Sequence, residues 1–592
     1  MMRARFLATM CALAVSGCIH LPNSAAPSGS AEQTYGSITA ATPITAVIRD
    51  EHIQDLDPDS KRPLLDQAMA ELIKTDPAEL YRGVTYDLTK GNGLERDWIV
   101  QTPDVWGRHA TEVKYVPLDC PGCDPDMHLP ICHVDTDCAG FGGTCGRLAV
   151  TEVSASLRNE RVCLGHSDAL VDRYYRLVAS ARRSVDITEL QPPADYRFLA
   201  ALRNGITTLA RSGRTVTIRV LVGQYPPDTV DTKAFLMELI RDARAIPAAR
   251  LTIYSSAMRS CAGDPSCGSF SWNHSKIIAI DGKVALVGGH NSWSQDYLID
   301  APVHDLSMQL RGPAVADANQ FADSLWKFVC DNAGTPAAVS SFVYRSGEPD
   351  VREGCLPEIG ESPGRTAQAG NVAILSVGRM GAGITKVFAN HDDLARDLIF
   401  GAARHSILVS QQDLGFNLLG QINAIYPDSS LERWADFMLA GRGDVYVVLS
   451  NLGAKGRSKS EYSTGVPLDA VAGKMLQVVQ SRSTLPKQVL TDMLCTHFHL
   501  TALRFGPDAS WPGNEPIGNH AKFWMVDGQY FYIGSDNLYP VDLQEFGYIV
   551  DDRTAARQLL HDYWEPLWRW SRAAAVSGDD APRCILHDAE SS

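Results

Sequence analysis

The feature that most constrains the fold of this chain is a phrase of nineteen residues that occurs twice. The first copy, NHSKIIAIDGKVALVGGHN, begins at residue 273, and the second, NHAKFWMVDGQYFYIGSDN, begins at residue 519. Both copies place a histidine, a lysine, an aspartate, a glycine and an asparagine at the same spacing. Self-similarity of this kind is typical of a duplicated structural unit. The sequence therefore predicts two copies of one fold.

The local pattern of each copy predicts two strands joined by a tight turn. The runs IIAI and FWMV are apolar and bounded by an Asp-Gly pair, which is a strong hairpin signal. Residues two apart on a strand point to the same face. His274 and Lys276 can therefore reach into one pocket, and His520 and Lys522 can do the same.

A shared order of elements surrounds the two phrases. Residues 178–188, VASARRSVDIT, and residues 400–410, FGAARHSILVS, each carry a helix-like pattern into a β-branched run. Strands that alternate with helices predict an α/β layer in each half. The predicted organisation is a signal peptide (1–17), Cys18 with a flexible tether (18–45), an N-terminal segment with a cysteine-rich insert (46–165), a first repeat (166–340), a linker (341–372) and a second repeat (373–585).

The N-terminus predicts export. Two arginines precede the apolar run FLATMCALAV, which is too short to span a bilayer comfortably, and VSGC follows. Small residues before a cysteine resemble a bacterial lipoprotein signal, in which Cys18 would become the lipidated first residue. An ordinary secretory peptide is the alternative. We expect a protein anchored by lipid to a bacterial membrane, either the outer membrane or the cell surface.

The cysteines predict disulfides. Of fourteen, Cys11 lies in the signal peptide and Cys18 would carry lipid, so twelve remain, an even number in an exported chain. Six of these lie close together in the N-terminal segment: Cys120, Cys123, Cys132, Cys138, Cys145 and Cys163. The alternative is a zinc site that starts from the CPGC spacing and adds His128 or His133. An oxidising compartment favours disulfides.

Two further cysteine pairs are plausible partners from their spacing. Cys261 and Cys267 could close a short loop, and Cys330 and Cys355 a longer one. The sequence alone does not fix the connectivity.

The doubled H-x-K-x4-D phrase resembles the phospholipase D superfamily over residues 166–585. The resemblance implies two α/β-sandwich repeats related by pseudo-twofold symmetry, with one active site at their interface. It also implies phosphodiester transfer without a metal or other cofactor, in which one histidine attacks phosphorus and the other moves the proton. By this resemblance His274 is the nucleophile, and His520 acts first as the acid and then as the base.

The resemblance assigns the remaining residues of the two phrases. The side chains expected to hold the phosphate are Lys276, Lys522, Asn291 and Asn537. Ser535 is expected to donate a further hydrogen bond to the substrate, and Gly289 stands where many members have a serine. We expect Asp281 and Asp527 to brace turns, because an ionised carboxylate beside a phosphate would repel it.

A nucleophilic histidine needs a partner on its second nitrogen to fix its tautomer and orientation. Asp305 lies 31 residues after His274, and Glu545 lies 25 residues after His520. Similar secreted phospholipases pair these groups crosswise. We therefore expect His274 to contact Glu545 and His520 to contact Asp305.

Three candidate functions follow from these patterns. The suspected lipid anchor favours a phospholipid substrate at a membrane surface, and phrases such as HNSWSQDYL resemble secreted bacterial phospholipase D. A nuclease of the same superfamily is the runner-up, although a net charge of −15 and the absence of a Lys/Arg run make nucleic acid a weaker candidate. A catalytically inactive surface lipoprotein is the third. No protein partner is indicated.

Overall fold

The structure is a computed structural model. It describes residues 53–118, 123, 127–193, 196–224, 230–262, 271–355, 365–385, 389–417 and 424–588. The predicted signal peptide, Cys18 and the tether lie outside these residues.

Strands and helices alternate through most of the described chain. The strands, numbered in chain order, are β1 (Tyr86–Asn92), β2 (Ile99–Thr102), β3 (Ile131–Cys132), β4 (Thr144–Gly146), β5 (Arg161–Leu164), β6 (Ser184–Glu189), β7 (Thr215–Gly223), β8 (Arg250–Met258), β9 (Ile277–Ile280), β10 (Val284–Gly288), β11 (Asp305–Arg311), β12 (Phe342–Arg345), β13 (Arg352–Glu353), β14 (Val372–Arg379), β15 (Ser406–Ser410), β16 (Asp444–Leu449), β17 (Phe498–Ala502), β18 (Phe523–Val526), β19 (Tyr530–Gly534) and β20 (Glu545–Asp551). The α-helices are α1 (Leu64–Thr75), α2 (Asp168–Ser180), α3 (Tyr196–Ser212), α4 (Thr232–Leu239), α5 (Ser294–Tyr297), α6 (Val315–Asp331), α7 (His391–Gly401), α8 (Asp428–Leu439), α9 (Leu468–Arg482), α10 (Lys487–His497), α11 (Arg553–Leu559), α12 (Glu565–Ser571) and α13 (Ile585–Asp588). A π-helical turn, Leu560–Trp564, joins α11 to α12, and short 3₁₀ helices span Ala110–Glu112, Asp135–Cys138, Ala149–Val153, Ala243–Ala245 and Arg572–Ala574.

Two large mixed sheets carry the fold, and their central strands follow the same order. The first sheet runs β13-β12-β8-β7-β6-β9-β10-β11-β2, and the second runs β1-β14-β20-β19-β18-β15-β16-β17. The six strands β8-β7-β6-β9-β10-β11 match β17-β16-β15-β18-β19-β20 in order and in their parallel or antiparallel sense. The predicted α/β class is confirmed. The pseudo-twofold relation of the repeats stays a prediction.

The strands that follow the two histidines are buried on both faces. On β9, Ile278 and Ile280 belong to a cluster with α2, α3 and α4, whereas Ile277 and Ala279 belong to a different cluster that contains residues of both sheets. The run FWMV of β18 alternates in the same way between an outer cluster and this shared one. Period-two alternation with apolar residues on both faces explains why both strands read as continuous hydrophobic runs. The shared cluster places the two phrases in one core.

The N-terminal segment contributes to both sheets. Strand β1 pairs with β14 at one edge of the second sheet, and β2 pairs with β11 at one edge of the first. Strand β12, within the predicted linker, pairs with β8 of the first sheet. Strands from outside the two predicted repeats therefore complete both sheets. The predicted domain boundaries stay predictions.

Disulfides staple the cysteine-rich insert, as predicted. Cys132 pairs with Cys145 and Cys138 with Cys163, around a small sheet with the strand order β3-β5-β4. Cys123 is also disulfide-bonded, and Cys120 lies outside the described residues. Three of these sulfur atoms, on Cys132, Cys138 and Cys145, lie close enough together to hold a metal, but each is in a disulfide. The zinc alternative concerned the CPGC phrase instead: its Cys123 is in a disulfide and its Cys120 lies outside the described residues, so this alternative stays a prediction.

The remaining cysteines complete the pattern of an exported protein. The predicted pair of Cys330 with Cys355 is confirmed. Cys261 is disulfide-bonded, while its predicted partner, Cys267, lies outside the described residues. A pair that the sequence did not suggest joins residues 495 and 584 across 89 positions. Among the described helices, none has the length and apolar character needed to cross a membrane.

The long-range disulfide gives a stability prediction. Replacing Cys495 and Cys584 by alanine should lower the free energy of unfolding by about 4.5 kcal/mol, because a loop of 89 residues is released in the unfolded chain. The same change at Cys330 and Cys355, whose loop spans 25 residues, should lower it by about 3.5 kcal/mol. Denaturant-induced unfolding of both double variants measures these losses. A smaller loss for the longer loop would contradict the loop-entropy account.

Candidate active site

Backbone bridges bring the two histidine phrases together. Asn273, just before His274, forms a β-bridge with Gln544 of the other half, and Asn519, just before His520, forms one with His304. The amide of His274 donates to the carbonyl of Gln544 at 3.0 Å, and that of His520 donates to the carbonyl of His304 at 2.7 Å. Each phrase is therefore paired with the residue that directly precedes the carboxylate of the opposite repeat.

The histidine–carboxylate contacts cross between the repeats, as predicted. Nδ1 of His274 lies 2.8 Å and 3.0 Å from the two carboxylate oxygens of Glu545. Nδ1 of His520 lies 2.7 Å from Oδ2 of Asp305. All four side chains are buried. A carboxylate accepts, so Nδ1 of each ring carries the hydrogen and Nε2 is left for chemistry.

The motif lysines are held by the backbone beside them. Nζ of Lys276 donates to the carbonyl of His274 at 2.7 Å, and Nζ of Lys522 donates to the carbonyl of His520 at 2.6 Å. Both ammonium groups are buried. An ammonium has three donors, so each lysine is fixed in place by one and can offer the others to an anion.

The two asparagines end their strands with polar atoms that lack partners. Oδ1 of Asn291 and both side-chain polar atoms of Asn537 are buried and make no hydrogen bond within the described part of the chain. Buried polar atoms are almost always satisfied, and exceptions call for an explanation. An anion bound beside the lysines would supply an acceptor for Nδ2 of Asn537, whereas the two orphaned Oδ1 atoms need a donor.

The motif aspartates brace turns. Asp281 accepts hydrogen bonds from the backbone amides of residues 182–184, and Asp527 accepts them from the amides of residues 404–406. Asp281 and Gly282 have φ values of 55° and 65°, and the second Asp-Gly pair repeats this conformation. Positive φ at both central residues is the type I′ geometry that the Asp-Gly signal predicts. Each aspartate thus ties its hairpin to the start of β6 or β15.

Gly289 and Ser535 occupy equivalent positions but support the site differently. A Cβ on Gly289 would lie 2.1 Å from Oδ1 of Asp305 and 2.9 Å from the carbonyl of His520, so a side chain there would displace the carboxylate. The sequence predicts a substrate contact for Ser535, but its hydroxyl donates to Oε2 of Glu545. This contact gives the serine a role in orienting the carboxylate, and its hydrogen bond to the substrate stays a prediction.

Two tyrosines near His520 escaped the sequence analysis. Tyr297 donates its hydroxyl to Oδ2 of Asp305 at 2.8 Å and lies 3.3 Å from Nδ1 of His520. Tyr462 meets the imidazole edge-on, with ring centroids 5.0 Å apart, and donates to Asp296. The Tyr297 hydroxyl does for Asp305 what the Ser535 hydroxyl does for Glu545. Tyr297 lies in the phrase HNSWSQDYL, but its position in the sequence gave no signal that it contacts Asp305.

A buried ion-pair network supports the loop that follows β19. Arg379, at the end of β14, pairs with Asp536, and Arg396 of α7 pairs with the same carboxylate at 2.8 Å. Arg379 also pairs with Asp392 at 3.2 Å and Asp393 at 3.1 Å. Asp536 precedes Asn537, so this network fixes the backbone from which the asparagine projects. The sequence gave no signal for it, because its members are distant along the chain.

Burial shifts the protonation of the central groups toward their neutral forms. It lowers the pKa of both histidines well below their usual range, and the two lysines add to this effect. It also lowers the pKa of Lys276 to about 8 and that of Lys522 to about 7. A neutral His274 with a free Nε2 lone pair can attack an electrophile at neutral pH.

Comparison with known proteins finds a relative by sequence and weaker likenesses by structure. The chain matches no profile of a known protein family. It is 29% identical over 566 residues to a protein named phospholipase D from Streptomyces antibioticus, and the alignment covers 88% of this chain and 90% of that protein. Among solved structures it is similar to phosphatidylserine synthase from Haemophilus influenzae Rd KW20 (14% identity, 67% and 83% of the two chains, TM-score 0.41) and to polyphosphate kinase from Porphyromonas gingivalis (12%, 72% and 53%, TM-score 0.34). The alignment with the Streptomyces protein spans most of both chains. It confirms the resemblance to phospholipase D that the two motifs predicted.

The close approach at Gly289 gives a test of the crossed pairs. Gly289→Ala should reduce turnover of a phosphodiester such as bis(4-nitrophenyl) phosphate about 100-fold, because the new Cβ forces the Asp305 carboxylate away from His520. Gly473→Ala is the matched control, since a Cβ at that position in α9 meets no atom within 4 Å. Steady-state kinetics of the folded variants decide. Full activity in Gly289→Ala would show that this carboxylate position does not matter.

Proposed function

We propose that this chain is a phosphodiesterase of the phospholipase D superfamily, which hydrolyses or transfers phospholipid head groups through a phosphohistidine intermediate. The observation that carries the proposal is the buried pair of crossed histidine–carboxylate contacts, flanked by two lysines. Neither repeat contains a complete site, because the carboxylate that orients each histidine belongs to the opposite repeat.

In the first step, Nε2 of His274 attacks the phosphorus of the diester. A P–N bond forms and the bond from phosphorus to the head-group oxygen breaks. His520, protonated in the substrate complex, gives its Nε2 proton to the leaving oxygen. The negative phosphate favours the charged form of this imidazole, which offsets the burial that lowers its pKa in the empty site.

In the second step, a water or alcohol oxygen attacks phosphorus from the side that the head group has left. His520, now neutral, takes the proton of this nucleophile. The P–N bond breaks, which frees His274 and releases phosphatidic acid or a new phospholipid. The two roles of His520 require one residue to act as acid and then as base.

The lysines and asparagines stabilise charge on the phosphoryl oxygens. Lys276 and Lys522 present the ammonium donors that their backbone contacts leave over. Asn537 presents an amide Nδ2 with no other partner among the described residues, and Asn291 holds the same place in the first phrase. Preorganised donors in a site shielded from water stabilise developing charge more strongly than water does.

An apolar cluster next to the site residues in the sequence favours a lipid substrate over a nucleic acid. Leu190, Trp272 and Leu543 form this cluster, with Trp293 and Val541 packed against it. Four of these five residues lie within two positions of Glu189, His274, Asn291 or Glu545 in the sequence, so both repeats contribute to the cluster. The net charge of −15 also opposes a polyanion. A nuclease of the same superfamily remains the second candidate.

We further propose that the protein acts at a membrane. The disulfides indicate export to an oxidising compartment. The VSGC phrase supports a lipid anchor at Cys18, which would hold the site near its substrate.

The proposal is tested by giving the purified enzyme two substrates in separate reactions that contain a chelator. We expect release of head group from phosphatidylcholine vesicles, because the groups proposed to act on phosphorus are side chains of this chain. Single-stranded DNA should stay intact. Cleavage of the DNA without release of head group would favour the nuclease, and activity that needs an added divalent ion would contradict the mechanism.

Substitution of His274 and substitution of His520 should each greatly reduce turnover, but by removing a different chemical role. His274→Ala removes the attacking atom, and His520→Ala removes the acid and base, so each should lose at least about 10³-fold in turnover. The double variant should lose little more, because both residues serve one reaction path. His405→Ala, at an exposed histidine, is the control.

Quenching the reaction and mapping phosphorylated peptides assigns the roles. In the wild-type enzyme, the trapped phosphoryl group should be found on His274. An adduct on His520 would reverse the assignment of nucleophile and acid.

A further inference from the structure

One buried carboxyl beside the site has no part in this mechanism. Glu189 is the last residue of β6 and is 1% exposed. Its Oε1 accepts a hydrogen bond from the hydroxyl of Ser292 at 2.8 Å, and the buried Tyr174 hydroxyl also acts on this carboxyl. Its Oε2 has no partner with good hydrogen-bond geometry within the described residues. An unsatisfied carboxylate oxygen in a buried site is costly, so its retention calls for a reason.

The strand register places Glu189 opposite a motif lysine. Strand β6 is antiparallel to β9, and Thr188 is the partner of Ile277, so the next pair in register is Glu189 with Lys276. Directly opposite residues of an antiparallel pair share a face of the sheet. Their charges interact, and each favours the ionised form of the other.

The equivalent position in the second repeat carries a neutral side chain. Ser410 of β15 is the partner of Phe523, so the next pair in register is Gln411 with Lys522. The two repeats therefore differ at this point by one carboxyl group, although their strands match in order.

The other charges around the two lysines are largely shared. Glu545 and Asp305 act on both ammonium groups, and the two lysines oppose each other. Asp536 acts on Lys522, and Glu189 acts on Lys276. Asp536 is itself paired with two arginines, whereas Glu189 faces the neutral hydroxyls of Ser292 and Tyr174, so the counter-charge is stronger on the Lys276 side.

We propose that Glu189 is a positioning residue that keeps Lys276 charged and so makes the two halves of the phosphate site unequal. This inference rests on the proposed function, in which both lysines hold the phosphate. Lys276 lies on the strand of the nucleophile His274, so the phosphate is anchored in the half where the P–N bond forms.

The expected pH dependence follows from the pair. Burial raises the pKa of Glu189 to about 8 and lowers that of Lys276 to about 8, so the two groups titrate together. When the first proton leaves this pair, a carboxylate and an ammonium remain that attract each other. Lys522, opposite a neutral amide, has its pKa lowered to about 7 and loses its charge directly as the pH rises.

Reciprocal substitutions test this asymmetry. Glu189→Gln copies the second repeat into the first, and Gln411→Glu does the reverse. The probe is dimethyl phosphate, whose single charge does not change near neutral pH, and its dissociation constant is measured by ³¹P NMR from pH 6 to 9. This readout does not depend on hydrolysis of any lipid.

At pH 6, Glu189→Gln should bind the probe like the wild type, because the protonated carboxyl and the amide are both neutral. At pH 8.5 it should bind about tenfold more weakly than the wild type, since a loss of one pKa unit at Lys276 is a factor of ten. Gln411→Glu should bind about tenfold more tightly than the wild type at pH 8.5. If either variant is unfolded, the other decides.

The outcomes separate this inference from the proposed function. A loss of affinity that is equal at every pH would mean that Glu189 only supports the fold, and it would overturn the inference alone. Binding with the expected pH pattern in a protein that cleaves no phospholipid would overturn the lipid substrate and leave the inference standing. If the wild type does not bind the probe at any pH, both are wrong.

Discussion

The crossed contact between each histidine and the carboxylate of the opposite repeat is the constraint on which the rest of the structure depends. Nδ1 of His274 and Nδ1 of His520 each bind a carboxylate that begins a strand of the other sheet. A hydrogen bond of this kind tolerates little displacement, so the two sheets must be held in a fixed relation. The backbone bridges at Asn273 and Asn519 provide that relation directly beside the histidines.

Placing this many ionisable groups in a core is costly unless each has a partner. The lysines bind backbone carbonyls, the histidines bind carboxylates, and the carboxylates bind hydroxyls of Tyr297 and Ser535. Among the neutral groups beside them, Oδ1 of Asn291 and both side-chain polar atoms of Asn537 have no partner within the described residues. The pattern separates groups that build the site from groups left for a ligand, which is why these asparagines support a phosphate site.

The outer parts of the fold hold the two halves together. Strands β1 and β2 are separated by only six residues, yet one joins the second sheet and the other joins the first. A single short segment therefore ties both sheets, and the shared apolar cluster fills the space between them. Two disulfides join strands and a turn of the insert, and two others join Cys330 to Cys355 and Cys495 to Cys584.

The sequence by itself determined the features that depend on local spacing. Alternation and Asp-Gly turns predicted the strands around IIAI and FWMV, and the repeated spacing predicted two copies of an α/β unit, each with a histidine and a lysine on one face. The resemblance to a family, rather than spacing, supplied the single shared site and the crossed partners Asp305 and Glu545. Only the tertiary structure decided which distant residues meet. Tyr297, Arg379, Glu189 and the bond between Cys495 and Cys584 gave no usable signal, because their contacts arise when separate strands are brought into register. The hydroxyl of Ser535 turned toward Glu545 for the same reason: a side chain's partner is set by the three-dimensional surroundings, which sequence spacing does not encode.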